Sequence, residues 1–304
     1  MRMAALPPLR EAVARIDWSR PWFEPFRAHG MRWQRVLDTH GADAWLSTMT
    51  QDAQAASLCI GAGLPLTFVA QSLLPPGTRY EAHIAATGCV PTRENLHDFF
   101  NAASWFAFPR TKLATTACGL AEARRQAGAP APGNGRGPVR NALTHFDENG
   151  AIFVTSDGSL AEALRAFDWR RLFVEHRQAW PARCAVYVYG HALLEKLLAP
   201  YRACTAHAWI CQVEPDWFDA PAAQRQADAD VRVAAALVDD NIGDGPPRQA
   251  PRERAPKGGA LTIARFSPLP VLGVPGWWAA NADPRFYADT SVFRGGRRGP
   301  RHPC

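Results

Sequence analysis

Apolar residues recur along this chain in short runs divided by Pro, Gly and Asn, and the spacing within each run predicts its element. Trp18, Trp22, Phe23, Phe26 and Trp33 gather around Pro21 and Pro25, which suits an extended segment laid on a core. The four-residue spacing of Trp45, Met49 and Ala53 predicts a helix over Asp43–Ala56. LPLTFVAQ and RYEAHIAATG, residues 64–71 and 79–88, read as two short strands. A helix follows over 90–109, with Thr92 as N-cap after Pro91, an apolar face of Leu96, Phe99, Phe100, Ala103 and Phe106, and Pro109 as its stop. Another helix is expected over Arg110–Gln126.

The second half alternates more. Leu143–Phe146 and Ala151–Thr155, joined by Asp147-Glu148-Asn149-Gly150, read as a β-hairpin, because Asn-Gly is a strong turn signal. Short helices are expected at Leu160–Arg165 and Arg170–His176, a strand at Arg183–Gly190, a helix at 190–200, a strand at 205–213 and a helix at Ala220–Val238. The stretch from Leu269 to Arg294 is too rich in Pro, Gly and Asn for regular elements and is expected to wrap the core. Helices and strands without regular βαβ alternation predict an α+β fold: one domain over 1–294, helices packed on short mixed or antiparallel strands, and an irregular C-terminal wrap. Composition marks 128–138 and 241–260 as flexible loops and 295–304 as a disordered basic tail.

With 304 residues, 47% of them hydrophobic, the chain can bury a real core, which excludes a disordered or fibrous class. The formal charge of +6 suggests a nucleic-acid binder until it is traced. Arg248, Arg252, Arg254 and Lys257 against Glu253, with Arg297, Arg298 and Arg301, account for the whole excess and leave the rest formally neutral. A basic groove on the folded surface is therefore not implied. The charge-free stretch from Ala53 to Thr78 approaches the length of a bilayer span, but Gly61, Gly63 and Pro65 interrupt it, so a buried strand over Leu66–Gln71 is expected instead. The first residues lack the apolar run of a secretory leader. Seven scattered cysteines with no CxxC pair suit reduced thiols, so a cytoplasmic location is expected.

Candidate chemistry is local. His97 and Asn101 lie four apart on one helix face with Arg93 and Asp98 beside them, a set able to bind a metal or move a proton. His191 and Glu195 form a second such pair, and His207 sits mid-strand. Asp147 and Glu148, as neighbours in a hairpin, should point to opposite faces, so at most one is expected in a site with Arg140, Asn141 or Thr144. No GxSxG elbow, catalytic Cys signature or phosphate-binding Gly loop is present. Arg294–Arg301 resembles RNA-binding RGG segments, but in one short copy it reads first as a solvated tail.

YEAHI…VPTRENLHDFFNAASWFAFPRTK, RNALTHFDENGA, GHALLEKLLAP and LPVLGVPGWWAANADPRFYADTSVFR together resemble the bacterial domain of unknown function 3025 family, over about Trp18 to Arg294. The resemblance carries no activity. It places Glu81, Arg93, His97, Asp98, Asn101, Lys112, Arg140, Thr144, Asp147, Glu148, His191, Asn281, Tyr287, Asp289 and Arg294 in family blocks, and it implies an Asp in relatives where this chain has Asn141, which cannot titrate. The resulting expectation is an enzyme of the hydrolase class. His97 would act as base or ligand, tuned by Asp98 or Asp147, with Arg93, Asn101, Lys112, Arg140, His191 and Tyr287 binding an anionic small molecule. The alternative is a binding or scaffold protein using the Trp-rich wrap, with RNA met only through the Arg tail. A membrane partner is not expected, and the residues name no metal, cofactor or oligomeric state.

Overall fold

The computed structural model describes residues 7–61, 63–127, 137–241 and 261–296. Its elements run α1 (Leu9–Val13), α2 (Arg27–Ala55), β1 (Cys59–Ile60), β2 (Leu64–Pro65), β3 (Thr67–Ala70), α3 (Tyr80–Thr87), β4 (Cys89–Thr92), α4 (Leu96–Ala107) and α5 (Pro109–Ala127). They continue with α6 (Pro138–Asn149), β5 (Gly150–Thr155), α7 (Gly158–Ala166), α8 (Trp180–Arg183), β6 (Cys184–Val188), α9 (His191–Lys196), β7 (Thr205–Gln212), α10 (Ala222–Asn241) and β8 (Ser267–Pro270). This is the expected α+β arrangement of helices on small sheets.

The main sheet has the order β6-β5-β7-β8. β5 pairs parallel with β7 and antiparallel with β6, and β8 closes the edge antiparallel to β7. Every residue of β5 is buried, as a central strand covered on both faces requires. β3 and β4 form a separate parallel pair. The charge-free stretch thus runs from the end of α2 through β1, β2 and β3 into a 3-10 turn at Gln71–Leu73, and among the described residues no helix is long and apolar enough to cross a membrane.

The first forty residues do not run extended: Pro21–Phe26 is a 3-10 turn, and α2 begins at Arg27 rather than Asp43. Gly41, at φ 80°, kinks α2, and Trp33 Nε1 donates to Asp52 Oδ2 at 2.8 Å across the two halves. Residues 80–87 form α3 instead of a strand. Gly88 ends it at φ 72°, its N–H returning to Ile84 O at 2.8 Å, a left-handed cap that any added Cβ would drive into Pro65 O. Thr92 closes β4 and bonds Val90 O, while Asn95 caps α4 by accepting from the Asp98 N–H at 2.8 Å.

The largest correction is at 138–149. Pro138 opens α6, and Val139, Ala142, Leu143 and Phe146 bury one helical face, so the chain passes directly from helix to β5 with no hairpin. The Asp-Glu-Asn-Gly turn signal loses to this apolar period. Gly150 is extended, not left-handed, and its lack of a Cβ is needed because Phe146 O lies in the way. The C-terminal wrap holds one strand, β8, among 3-10 turns. The loop expected at 128–138 lies outside the described residues up to 136 and begins α6 at 138; most of the 241–260 loop and the tail from 297 also lie outside them.

Candidate metal centre

Three element ends meet where α4 begins, α6 ends and α9 begins. The start of α4 is fixed locally. Asp98 accepts from the Arg93 backbone N–H at 2.7 Å, from Arg93 Nε at 3.0 Å and from Arg93 Nη2 at 2.8 Å. This bidentate lock commits Arg93 and Asp98 to each other and sets His97 at the surface of the first turn. α9 is set by Gly190, where a Cβ would lie 2.5 Å from both Asn149 N and Glu148 O. Only glycine admits so close an approach, which brings His191 against the last turn of α6.

The outcome is a convergence of imidazoles and a carboxylate. His97 Nε2 and His191 Nε2 face each other at 3.0 Å, with the rings nearly perpendicular at 83°. Glu148 brings Oε1 to 3.9 Å from His97 Nε2 and Oε2 to 3.6 Å from His191 Nε2. One ligand atom from each of the three side chains falls within 4.8 Å of the others. An ion bound tetrahedrally by two imidazoles would hold their nitrogens roughly 3.3 Å apart, so small adjustments seat it.

Behind each imidazole stands another carboxylate. Glu195 Oε2 lies 3.7 Å from His97 Nδ1, and Asp147 Oδ2 lies 3.7 Å from His191 Nδ1, a buried atom with no hydrogen-bond partner. Carboxylates behind metal-binding imidazoles fix the tautomer that leaves Nε2 free. Asp147 is itself anchored: its Oδ1 accepts from Lys112 Nζ at 2.6 Å and from the Tyr189 hydroxyl at 3.1 Å. Lys112 Nζ also donates to Asn101 Oδ1 at 2.7 Å, and Asn101 Nδ2 donates to the Tyr80 hydroxyl at 3.0 Å.

Proton affinities follow from these surroundings. Burial pushes His191 down to about 3, overcoming the pull of Asp147. His97 is raised by the nearby Glu195 carboxylate against the opposing effect of burial. Burial raises Glu148, and although burial acts the same way on Asp147, the Lys112 charge and the hydrogen bonds from Lys112 and Tyr189 bring it below its ordinary value. At 3.0 Å the two facing Nε2 atoms are compatible with one proton between them.

Of the residues singled out in the sequence, His97, Asn101, Lys112, Asp147, Glu148, His191 and Glu195 come together here, with Glu195 standing behind His97 instead of pairing with His191. Asp98 is adjacent but acts on His97 only through space, and Arg93 is held by Asp98. Arg140 lies seven positions before Asp147 on α6, about 10 Å along the axis. Tyr287 lies in the C-terminal wrap, where its hydroxyl donates to Gly273 O at 2.9 Å and accepts from Arg177. Asn141 is exposed on α6. Asp147 and Glu148 both reach the site, contrary to the opposite-face expectation, because neighbours at a helix end are about 100° apart rather than 180°. Reading α6 as a helix is the signal that would have placed Asp147 and Glu148 in the site together.

A family profile described as protein of unknown function (DUF3025) matches residues 66–297, so the chain belongs to that family. No curated protein and no solved structure matches the chain.

Proposed function

We propose that this DUF3025 protein is a metal-dependent hydrolase in which His97, His191 and Glu148 hold one zinc-like divalent ion. The observation that carries the reading is the pair of Nε2 atoms 3.0 Å apart, each imidazole backed by a carboxylate and both faced by Glu148. Two His and one Glu with open remaining positions are a donor set of catalytic rather than structural zinc sites. A bound ion would lower the pKa of its water to about 7 and polarise a scissile phosphoryl or carbonyl oxygen.

The chain's own residues have separate tasks. Asp147 stands 3.7 Å behind His191 Nδ1 and Glu195 3.7 Å behind His97 Nδ1, where each carboxylate favours the tautomer that leaves Nε2 free, and Lys112 with Tyr189 keeps Asp147 ionised and in place. Depressed proton affinity leaves His191 neutral at physiological pH, as a ligand must be. The non-catalytic alternative would use the Trp-rich wrap, where Trp277 and Trp278 pack against the core, and an Arg tail that lies outside the described residues from 297.

Hydrolysis of p-nitrophenyl phosphate, bis(p-nitrophenyl) phosphate and p-nitrophenyl acetate by the full chain tests this reading. At least one ester should turn over, stop on chelation, resume with added zinc and fail in His191→Ala. Turnover indifferent to both chelator and His191→Ala would refute it, as would no turnover of any probe by zinc-loaded protein.

A further inference from the structure

One helical turn from Glu148 lies a second group of side chains. His145 precedes Glu148 by three positions and Asn149 by four, so these residues are neighbours on α6. Asn149 Oδ1 accepts from Lys196 Nζ at 2.7 Å, joining the residue after Glu148 to the residue after Glu195. β7 supplies His207, whose register partner is Gly150, and its ring centroid lies 5.1 Å from that of His145 at 75°. Both imidazoles are half-buried and Lys196 is exposed, so a solute can reach all three.

The cluster is rich in donors, and Glu148, the carboxylate that feels the Lys196 charge, is the one committed to the ion. Among the described residues, no carboxylate forms an ion pair with Lys196, His145 or His207. After burial, the charges acting on His207 are those of His145 and Lys196, both of which oppose its protonation. Such a group gains by taking up an anion, which offsets the mutual repulsion and accepts their N–H bonds.

We propose that Lys196, His145 and His207 form a subsite for a phosphate group of the substrate, beside the ion held by His97, His191 and Glu148. Three donors on three different elements suit an anion with three free oxygens better than a two-oxygen carboxylate. The inference rests on the hydrolase reading for its place in catalysis, and it assigns the substrate to phosphate-bearing small molecules. Lys196 and the two imidazoles bind and position; none of them ligates the ion.

Inorganic phosphate is the probe, followed through the imidazole NMR signals of the full chain, first dialysed against chelator and then zinc-loaded. Phosphate should shift the His145 and His207 signals saturably in both forms. Lys196→Ala should weaken that response at least tenfold, with zinc stoichiometry unchanged and the thermal melt intact. His207→Gln should weaken it similarly. Unmoved rings in the metal-free protein, wild-type affinity in Lys196→Ala, or equal affinity for acetate would each overturn the subsite. A protein that answers phosphate but binds no zinc would overturn the metal centre and leave the subsite standing; the converse would remove the subsite alone.

Discussion

The corner between α4, α6 and α9 and the C-terminal wrap both bury polar side chains among aromatic rings, but they treat those polar groups differently. In the wrap, Asn281 Nδ2 donates to Leu272 O and Val274 O, its Oδ1 accepts from Arg177 Nη2, and Tyr287 links Arg177 to Gly273 O. Each of these side chains has found its partners within the fold, and Phe173 and Phe293 pack over Tyr287. At the corner, His191 Nδ1 has no hydrogen-bond partner, the two Nε2 atoms share a single hydrogen bond with each other at 3.0 Å, and Glu148 approaches both without closing a bond. Residues from both regions look equally chemical in the sequence. Satisfaction distinguishes them: a completed network holds the fold, whereas an incomplete one with converging donors is built for something else.

The two regions should differ most in their response to pH. Folded His191 sits at about 3 against an ordinary 6.5, so between those values the unfolded chain binds a proton that the folded chain does not. Metal-free protein should therefore lose stability as pH falls from 6.5 towards 3, by an amount on the order of several kcal/mol. His97, raised instead, contributes stability that is complete below 6.5 and lost as pH rises through its folded value. Urea melts of wild type and His191→Leu across this range should show a clearly flatter acid limb in the variant; superimposable limbs would mean that His191 is not held neutral by its site.

In the wrap, Asn281→Ala should cost about 2–4 kcal/mol, because it strands two buried carbonyls and an arginine N–H, yet zinc stoichiometry should not change. If the melt were unaltered, the contrast between the regions would lose its structural half. Lys112→Met links the two kinds of effect. It should destabilise by roughly 2 kcal/mol, less than is usual for a broken buried pair because the Asp147 side chain is 31% exposed. It should also weaken zinc binding about 10–100-fold by releasing Asp147 from behind His191, which isothermal titration would measure. An unchanged zinc affinity would place Lys112 in the structural class with Arg177.

Much of this was legible in the residues, and the failures share one cause. The apolar faces of α4 and α10, the short helices α7 and α9, and the strands β6 and β7 follow from spacing alone. His97, Lys112, Asp147 and His191 announce themselves by residue type. What spacing could not decide was 138–149, where an Asn-Gly turn signal competes with an apolar period of Val139, Ala142, Leu143 and Phe146. The choice controls the site: a strand sends Asp147 and Glu148 to opposite faces, whereas the end of α6 delivers both. Similarly, the Ala-rich segment 80–87 carries too little periodicity to separate strand from helix, and its Gly88 cap is visible only once Pro65 is known to press against it. The meeting of α9 with the end of α6 depends on Gly190, and its meeting with α4 on a contact between residues some ninety positions apart, neither of which a local pattern encodes.

A metal centre at the corner of α4, α6 and α9 is decided by zinc stoichiometry in chelator-dialysed full-length protein, measured by titration calorimetry with elemental analysis. One zinc per chain in the wild type and none in His191→Ala, both folded by thermal melt, is the predicted result. A wild type that takes up no zinc, or a His191→Ala variant that binds it equally well, would contradict the account.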